Sequence, residues 1–230
     1  MKLVLFDIDG TLLSSSGAGR RAMEAALSLI FGSPGSPLYR YDGKTDRQIV
    51  RELMRAEGHD DERIDREMSS VIEMYVDFLR AELLRPGTRV TCYAGVVALL
   101  DALAEREDRV TGLLTGNLRY GAEAKLQAAG IDPGRFRASA FGSDHEARHE
   151  LPGIAQRRAK EELGLEFGGE SIIIIGDTPS DILCGRGIGA RAIAVATGHY
   201  SVAELEGHSP CRVFADLADT EAVLAAIDDA

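Results

Sequence analysis

Leu3-Val4-Leu5-Phe6 is an unbroken apolar run that ends in acid at Asp7, the pattern of a strand buried on both faces of a parallel sheet. Four further segments repeat it: Val110 to Thr115, Phe136 to Phe141, Ile172 to Ile175, and Arg191 to Ala196. Most are separated by stretches whose apolar residues recur at helical spacing, as in Val96 to Leu103, the region around Leu126, and Ile154 to Leu163. Strand and helix alternate from about Gly95 onward. That alternation predicts an α/β fold with a doubly wound, mostly parallel sheet, right-handed crossovers and helices on both faces.

The stretch between the first strand and Gly95 has a different period. Ala22 to Phe31, Arg47 to Glu57 and Ile64 to Leu84 all carry apolar residues at helical spacing, with no comparable strand among them. An all-helical module inserted after the first strand is expected, over residues 15–87, with residues 1–14 and 88–230 forming the α/β part. Ser14-Ser15-Ser16-Gly17 would be its entry hinge, and Pro86-Gly87 begins the return.

Composition narrows the partners. Hydrophobic residues at 45% and charged residues at 27% are ordinary for a globular enzyme and exclude a disordered or fibrous chain. A net charge of −11 repels phosphate backbones and anionic membranes, so neither nucleic acid nor membrane is an expected partner. Cys92, Cys184 and Cys211 lack the spacing of a disulfide framework or a thiolate zinc site. The opening residues reach Asp7 too soon for a signal peptide, and no run approaches the ~18 apolar residues of a membrane span. A cytoplasmic chain is expected.

Three of the apolar strands end in chemistry. The first runs into Asp7-Ile8-Asp9-Gly10-Thr11, the second into Thr115-Gly116-Asn117, the fourth into Gly176-Asp177-Thr178-Pro179-Ser180-Asp181. In an open α/β sheet the ligand crevice lies beyond the carboxyl ends of the strands, so these groups can meet although they are distant in sequence. Carboxylates gathered there raise one another's pKa unless a cation offsets the repulsion, and an all-oxygen set favours magnesium. Gly10, Gly116 and Gly176 allow close backbone approach to an anion. Helix capping would account for one such acid, but it fits three strand ends with doubled carboxylates on two of them poorly.

These residues resemble the haloacid-dehalogenase-like superfamily of phosphohydrolases. Its first motif is matched by Asp7-Ile8-Asp9-Gly10-Thr11-Leu12, its second by Leu113-Leu114-Thr115-Gly116-Asn117, and its fourth by Gly176-Asp177-Thr178-Pro179-Ser180-Asp181. The helical insertion resembles the cap of the phosphoglycolate phosphatase and β-phosphoglucomutase branch. The resemblance implies a Rossmann-like core and a magnesium-dependent phosphatase acting on a small phosphorylated metabolite such as phosphoglycolate. By the same resemblance Asp7 is the nucleophile and Asp9 the acid/base. Magnesium would be held by the Asp7 carboxylate, the Asp9 carbonyl and Asp177, with Asp181 orienting that shell. Thr115 and the Gly116 and Asn117 amides would hold phosphoryl oxygens. The dehalogenases usually lack the second acid, so Asp9 argues against carbon–halogen hydrolysis. A phosphomutase, or a non-catalytic phospho-ligand binder, are the alternatives.

The family's third motif, a lysine in a loop before a helix, has no match in Gly142 to Pro152. Arg148 is the expected stand-in, with Arg157 and Lys160 as rivals. An arginine keeps its charge and binds an oxygen pair bidentately. His145-Glu146-Ala147-Arg148-His149 also spells the H-E-x-x-H zinc signature, but in a charged segment after a loop rather than on a buried helix. Gly43-Lys44-Thr45 lacks the upstream glycine of a P-loop. Lys44, Thr45, Asp46 and Arg47 are candidates either for substrate contact or for simple capping of the next helix. His199 is expected to be an exposed loop residue.

Overall fold

In the computed structural model of the chain, which describes residues 1–230, the apolar runs line up in one sheet. Its strands are β1 (Lys2–Phe6), β4 (Arg109–Thr115), β5 (Ala140–Phe141), β6 (Ile172–Gly176), β7 (Arg191–Val195) and β8 (Arg212–Phe214); two short strands, β2 (Leu13–Ser14) and β3 (Thr91–Cys92), pair antiparallel with each other as a separate ribbon. The order across the sheet is β5-β4-β1-β6-β7-β8, with every neighbouring pair parallel. Setting the ribbon aside, this is the doubly wound order in which the chain's direction of winding reverses between β1 and β6.

The alternation of side chains along each strand divides the burial between two faces. Val4, Phe6, Leu113, Ile173, Ile175 and Val195 face the helices α4 (Val96–Ala104), α5 (Arg119–Ala128) and α9 (Thr220–Asp229). Leu3, Leu5, Leu114, Ile172 and Ile174 face α6 (Leu151–Leu163), and Cys184 at the end of α7 (Pro179–Cys184) joins them. The small α8 (Val202–Glu206) covers β7 and β8 through Leu205. Strands covered on both faces have no polar period, which is why they read as continuous apolar runs.

Two features depart from the sequence pattern. Of Phe136 to Phe141 only the last two residues form strand, because the Leu113 amide donates to Ser139 Oγ at 2.9 Å rather than to a backbone carbonyl. β8, α7, α8 and α9 lie in stretches too short or too weakly patterned to announce themselves.

The insertion is helical throughout, as α1 (Ala18–Phe31), α2 (Asp46–Ala56) and α3 (Asp61–Leu84). Its helices have their own apolar core, including Met23 and Leu27 of α1, Leu53 and Met54 of α2, and Ile64, Val71 and Leu79 of α3. Leu118, which leads into α5, is the one residue of the α/β part in that core. α2 begins where the two layers meet. Thr45 caps it by accepting from the Gln48 amide, and its hydroxyl donates to the Glu146 carbonyl at 2.6 Å. The Asp46 amide donates to the Gly116 carbonyl at 2.8 Å, and Asp46 Oδ2 accepts from the Leu118 amide at 2.9 Å. Arg51 of α2 adds an ion pair to Glu146 at 2.6 Å.

Asp46 makes this seam sensitive to pH. Burial raises its carboxyl from the usual range to about 6, against the opposing pull of Lys125 and the Leu118 amide. A carboxyl raised on folding binds its proton more tightly in the folded state. Stability therefore falls as pH rises from about 4 to about 6, the interval in which the unfolded chain has already released the proton, and then levels off. Asp46→Asn keeps an oxygen for the Leu118 amide and removes the ionisation. At pH 7 the variant is expected to exceed wild type by about 3 kcal/mol, with the two converging by pH 4. Urea denaturation from pH 4 to 7 reads this directly, and parallel curves for the two proteins would show that Asp46 does not titrate in that interval.

Candidate active site

The carboxyl ends of β1 and β6 each deliver an aspartate to the point where the sheet's winding reverses. Asp7 follows β1 directly, its amide donating to the Ile175 carbonyl at 3.0 Å, and Asp177 follows Gly176 of β6. After Asp7 the chain turns sharply, with the Leu12 amide bonded to the Ile8 carbonyl and Gly10 at φ +84°. Only glycine fits there: a side chain at Gly10 would strike the Asp177 carboxylate, and one at Gly198 would strike it from another side. Thr11 Oγ1 donates to Asp177 Oδ1 at 3.0 Å and fixes its rotamer.

Asp7, Asp177 and Asp181 are all buried and offer carboxylate oxygens within 4.8 Å of one another. Burial is the main cause that raises Asp7 to about 6, with Arg148 opposing and Asp181 and Asp9 adding to it; Asp177 is pushed up for the same reason. Arg148, from the short turn of helix before α6, reaches Asp7 Oδ1 at 3.3 Å, the Leu114 carbonyl at 3.3 Å and the Asp181 carboxylate. One guanidinium against three carboxylates leaves two negative charges when all are ionised, and a divalent cation with oxygen ligands fits that donor set. Asp181 is the least free of the three. Its Oδ1 accepts from Arg148, and its Oδ2 accepts from the Thr178 amide and hydroxyl in the capping box of α7.

Asp9 faces the same space but is more open, with 42% of its side chain exposed. Its Oδ2 accepts from Asn117 Nδ2 at 2.7 Å and from Lys125 Nζ at 2.5 Å. Lys125 also donates to Asn117 Oδ1 at 2.6 Å. It was not among the expected site residues, yet the sequence holds a signal for it. On α5 the buried positions are Gly121, Ala122, Lys125 and Leu126, so this lysine interrupts the helix's apolar face.

These groups line one cavity of about 850 Å³ between the sheet and the helical insertion. Asp7, Asp9, Gly10, Gly116, Asn117, Arg148 and Asp177 form its floor, and four of the chain's six tyrosines, Tyr39, Tyr41, Tyr75 and Tyr93, stand around it. Lys44 and Asp46 reach its wall, but Thr45 and Arg47 do not, because Thr45 is fully buried in capping α2 and Arg47 lies on another side of that helix. Thr115 also stays behind the wall, where its hydroxyl accepts from Asn117 Nδ2 at 2.9 Å. His199 is exposed, as expected, and borders the cavity while paired with Asp42 at 2.8 Å.

Arg157 is exposed and Lys160 pairs with Glu166 at 2.6 Å, so neither rival approaches the carboxylates. The H-E-x-x-H segment is a bend leading into a short 3-10 helix rather than an α-helix. Its Glu146 is held by Arg51, and His149 is 73% exposed beside Glu150.

The sequence profile of the haloacid dehalogenase-like hydrolases matches residues 4–186. The chain belongs to that family. No curated protein matches it significantly. Solved structures similar to this haloacid dehalogenase-like hydrolase include a hydrolase from Pseudomonas syringae, at 23% identity and TM-score 0.70 over 97% of each chain. A predicted phosphoglycolate phosphatase from Haemophilus somnus superposes with TM-score 0.70 at 18% identity, over 97% of this chain and 98% of the other. CbbY from Rhodobacter sphaeroides, solved in complex with phosphate, gives 0.69 at 19% identity over 99% of each. Identities this low speak to the shared fold. No helix is long and apolar enough to cross a membrane.

Proposed function

We propose that this haloacid dehalogenase-like hydrolase is a magnesium-dependent phosphatase of small phosphomonoesters, working through an aspartyl-phosphate. The observation that carries the reading is the placement of Asp7 and Asp177 at the ends of β1 and β6, with Asp9 beside them in the same cavity. The Asp7 carboxylate, the Asp9 carbonyl and Asp177 would hold the magnesium, and Asp181 would orient Asp177 and Arg148. When bound, the ion cancels charge on the carboxylates and on the phosphoryl oxygens.

The chain's own groups do the rest. Asp7 attacks phosphorus as the leaving oxygen departs, and Asp9 gives that oxygen its proton. Asp9, now a carboxylate, takes a proton from the water that attacks the aspartyl-phosphate and releases Asp7. The Gly116 backbone and Asn117 line the cavity where phosphoryl oxygens lie, and Arg148 supplies positive charge next to Asp7. Thr115 serves by holding Asn117. Residues 15–87 act as a cap whose α2 edge, Lys44 and Asp46 included, closes the cavity against bulk water during the first step.

The cavity's volume admits more than a two-carbon leaving group. A panel running from phosphoglycolate through sugar phosphates to nucleoside monophosphates therefore tests the reading. Release of inorganic phosphate with magnesium, lost in EDTA, is the expected result. Isomerised sugar phosphate without free phosphate would replace the phosphatase with a mutase, and binding without turnover would leave a phospho-ligand sensor.

A further inference from the structure

Lys125 is 4% exposed at its side chain and carries its charge into the seam between the two layers. On one side its ammonium bonds to Asp9 Oδ2 and Asn117 Oδ1, both residues of the α/β part. On the other side lies the cap. A methyl group built on Gly19 of α1 would come within 3.2 Å of Nζ, and the same spot is 3.6 Å from the Tyr75 hydroxyl of α3. The lysine is therefore confined from above by the helices and bonded below to the polar groups of the floor.

Two consequences follow from its bonds. An asparagine amide is nearly symmetric in shape, so its orientation is set by its partners. Lys125, which has donors only, binds the oxygen of Asn117 and thereby turns Nδ2 toward Asp9 Oδ2 and Thr115 Oγ1. Asp9 Oδ2 then carries two donors, whereas Oδ1 carries no hydrogen bond and remains available to the cavity. An acid/base carboxyl with one oxygen anchored and one free is held in a single orientation toward a reacting atom, which is what proton transfer requires.

We propose that Lys125 is the positioning residue for Asp9, and that the cap sets its place through the bare backbone at Gly19. The proposal rests on the acid/base reading of Asp9 above. It assigns Lys125 no contact with substrate. Its effect is to fix where Asp9 Oδ1 stands, first for the leaving oxygen and then for the attacking water.

The test uses two esters that differ in their need for a proton: an alkyl phosphate from the panel and p-nitrophenyl phosphate, whose phenolate leaves without one. Lys125→Met keeps the apolar stem and removes the donors. It is expected to lower kcat on the alkyl ester about 10²-fold, while the first turnover of p-nitrophenyl phosphate stays within a few-fold of wild type. Because water activation is also impaired, that first turnover should appear as a burst of p-nitrophenolate, with acid-stable phosphate trapped on the protein. Gly19→Ala, at a position inside α1 where alanine favours the helix, should shift the ammonium and reproduce the same discrimination more weakly. It decides the matter if Lys125→Met does not fold. Equal losses on both esters in the folded variants, with no burst, would overturn the positioning role. Wild type that releases phosphate from neither ester would instead overturn the phosphatase reading beneath it.

Discussion

Asp7→Asn is expected to lower phosphate release by at least about 10⁴-fold, the scale on which removal of a nucleophile is usually felt, and to raise the melting temperature of the metal-free protein. The two effects have one origin. Asp7 is buried beside Asp177 and Asp181, and burial lifts its carboxyl to about 6, so the fold holds it more easily neutral than charged. At pH 7 the wild-type protein carries that charge at a cost, and an amide of the same shape does not. A gain of 1 kcal/mol corresponds to roughly 2–4 °C in a chain of this size. Single-turnover phosphate release with magnesium, paired with thermal unfolding in EDTA, reads both. A variant keeping more than about one hundredth of wild-type turnover would remove Asp7 from the role of nucleophile.

The second large effect belongs to Arg148. Arg148→Met leaves Asp7, Asp177 and Asp181 facing one another without the guanidinium that touches two of them. Breaking a buried pair from one side usually costs about 3–5 kcal/mol, because the partner charge stays behind without compensation. That loss is expected in EDTA at pH 7 by urea denaturation. It should shrink at pH 5, since Asp7, raised by burial to about 6, then takes up a proton in the folded state and part of the uncompensated charge is removed. Turnover should fall about 10²–10³-fold even with saturating magnesium, as when a charge-stabilising donor is removed. Arg148→Lys keeps the charge but cannot span Asp7 and Asp181 together, and is expected to fall between the two. Equal stability of wild type and Arg148→Met at both pH values would show that the acids are compensated by other means.

What the sequence disclosed, and what it withheld, follows from how local each signal is. Strands covered on both faces must be apolar at every position, so β1, β4, β6 and β7 are visible as runs, and the acids that end two of the runs, with Thr115-Gly116-Asn117 at the end of a third, mark the crevice. The helical insertion shows because its period differs from that of the sheet. Arg148 follows from where the resemblance asks for a positive charge ahead of α6, and its guanidinium lies 3.3 Å from Asp7 Oδ1. The break that Lys125 makes in the apolar face of α5 marks it as buried, but not where its charge goes, because its partner Asp9 lies more than a hundred residues away. Adjacency alone puts Thr45 and Arg47 with Lys44 and Asp46, yet a helix start rotates consecutive residues to different sides. β5 is shorter than its run because an apolar run does not reveal that Ser139 takes the place of a backbone partner.

The ribbon of β2 and β3 has a bearing on how such proteins diversify. The chain departs into the helices after Leu13–Ser14 and comes back at Thr91–Cys92, with Leu13 paired to Cys92 and Ser14 to Thr91. Exit and return are thus neighbours, about one strand spacing apart, and the Tyr93 amide ties the returning chain to the Leu12 carbonyl at 3.1 Å. Everything between them is, mechanically, a single loop closed at its base. A different helical set, longer or shorter, grafted at the same two points would leave Asp7, Asp177 and Arg148 where they stand. On the function proposed above, the nucleophile and the metal ligands belong to the sheet, while the exchangeable loop bears on the choice of what reacts and, through Gly19, on the setting of Asp9.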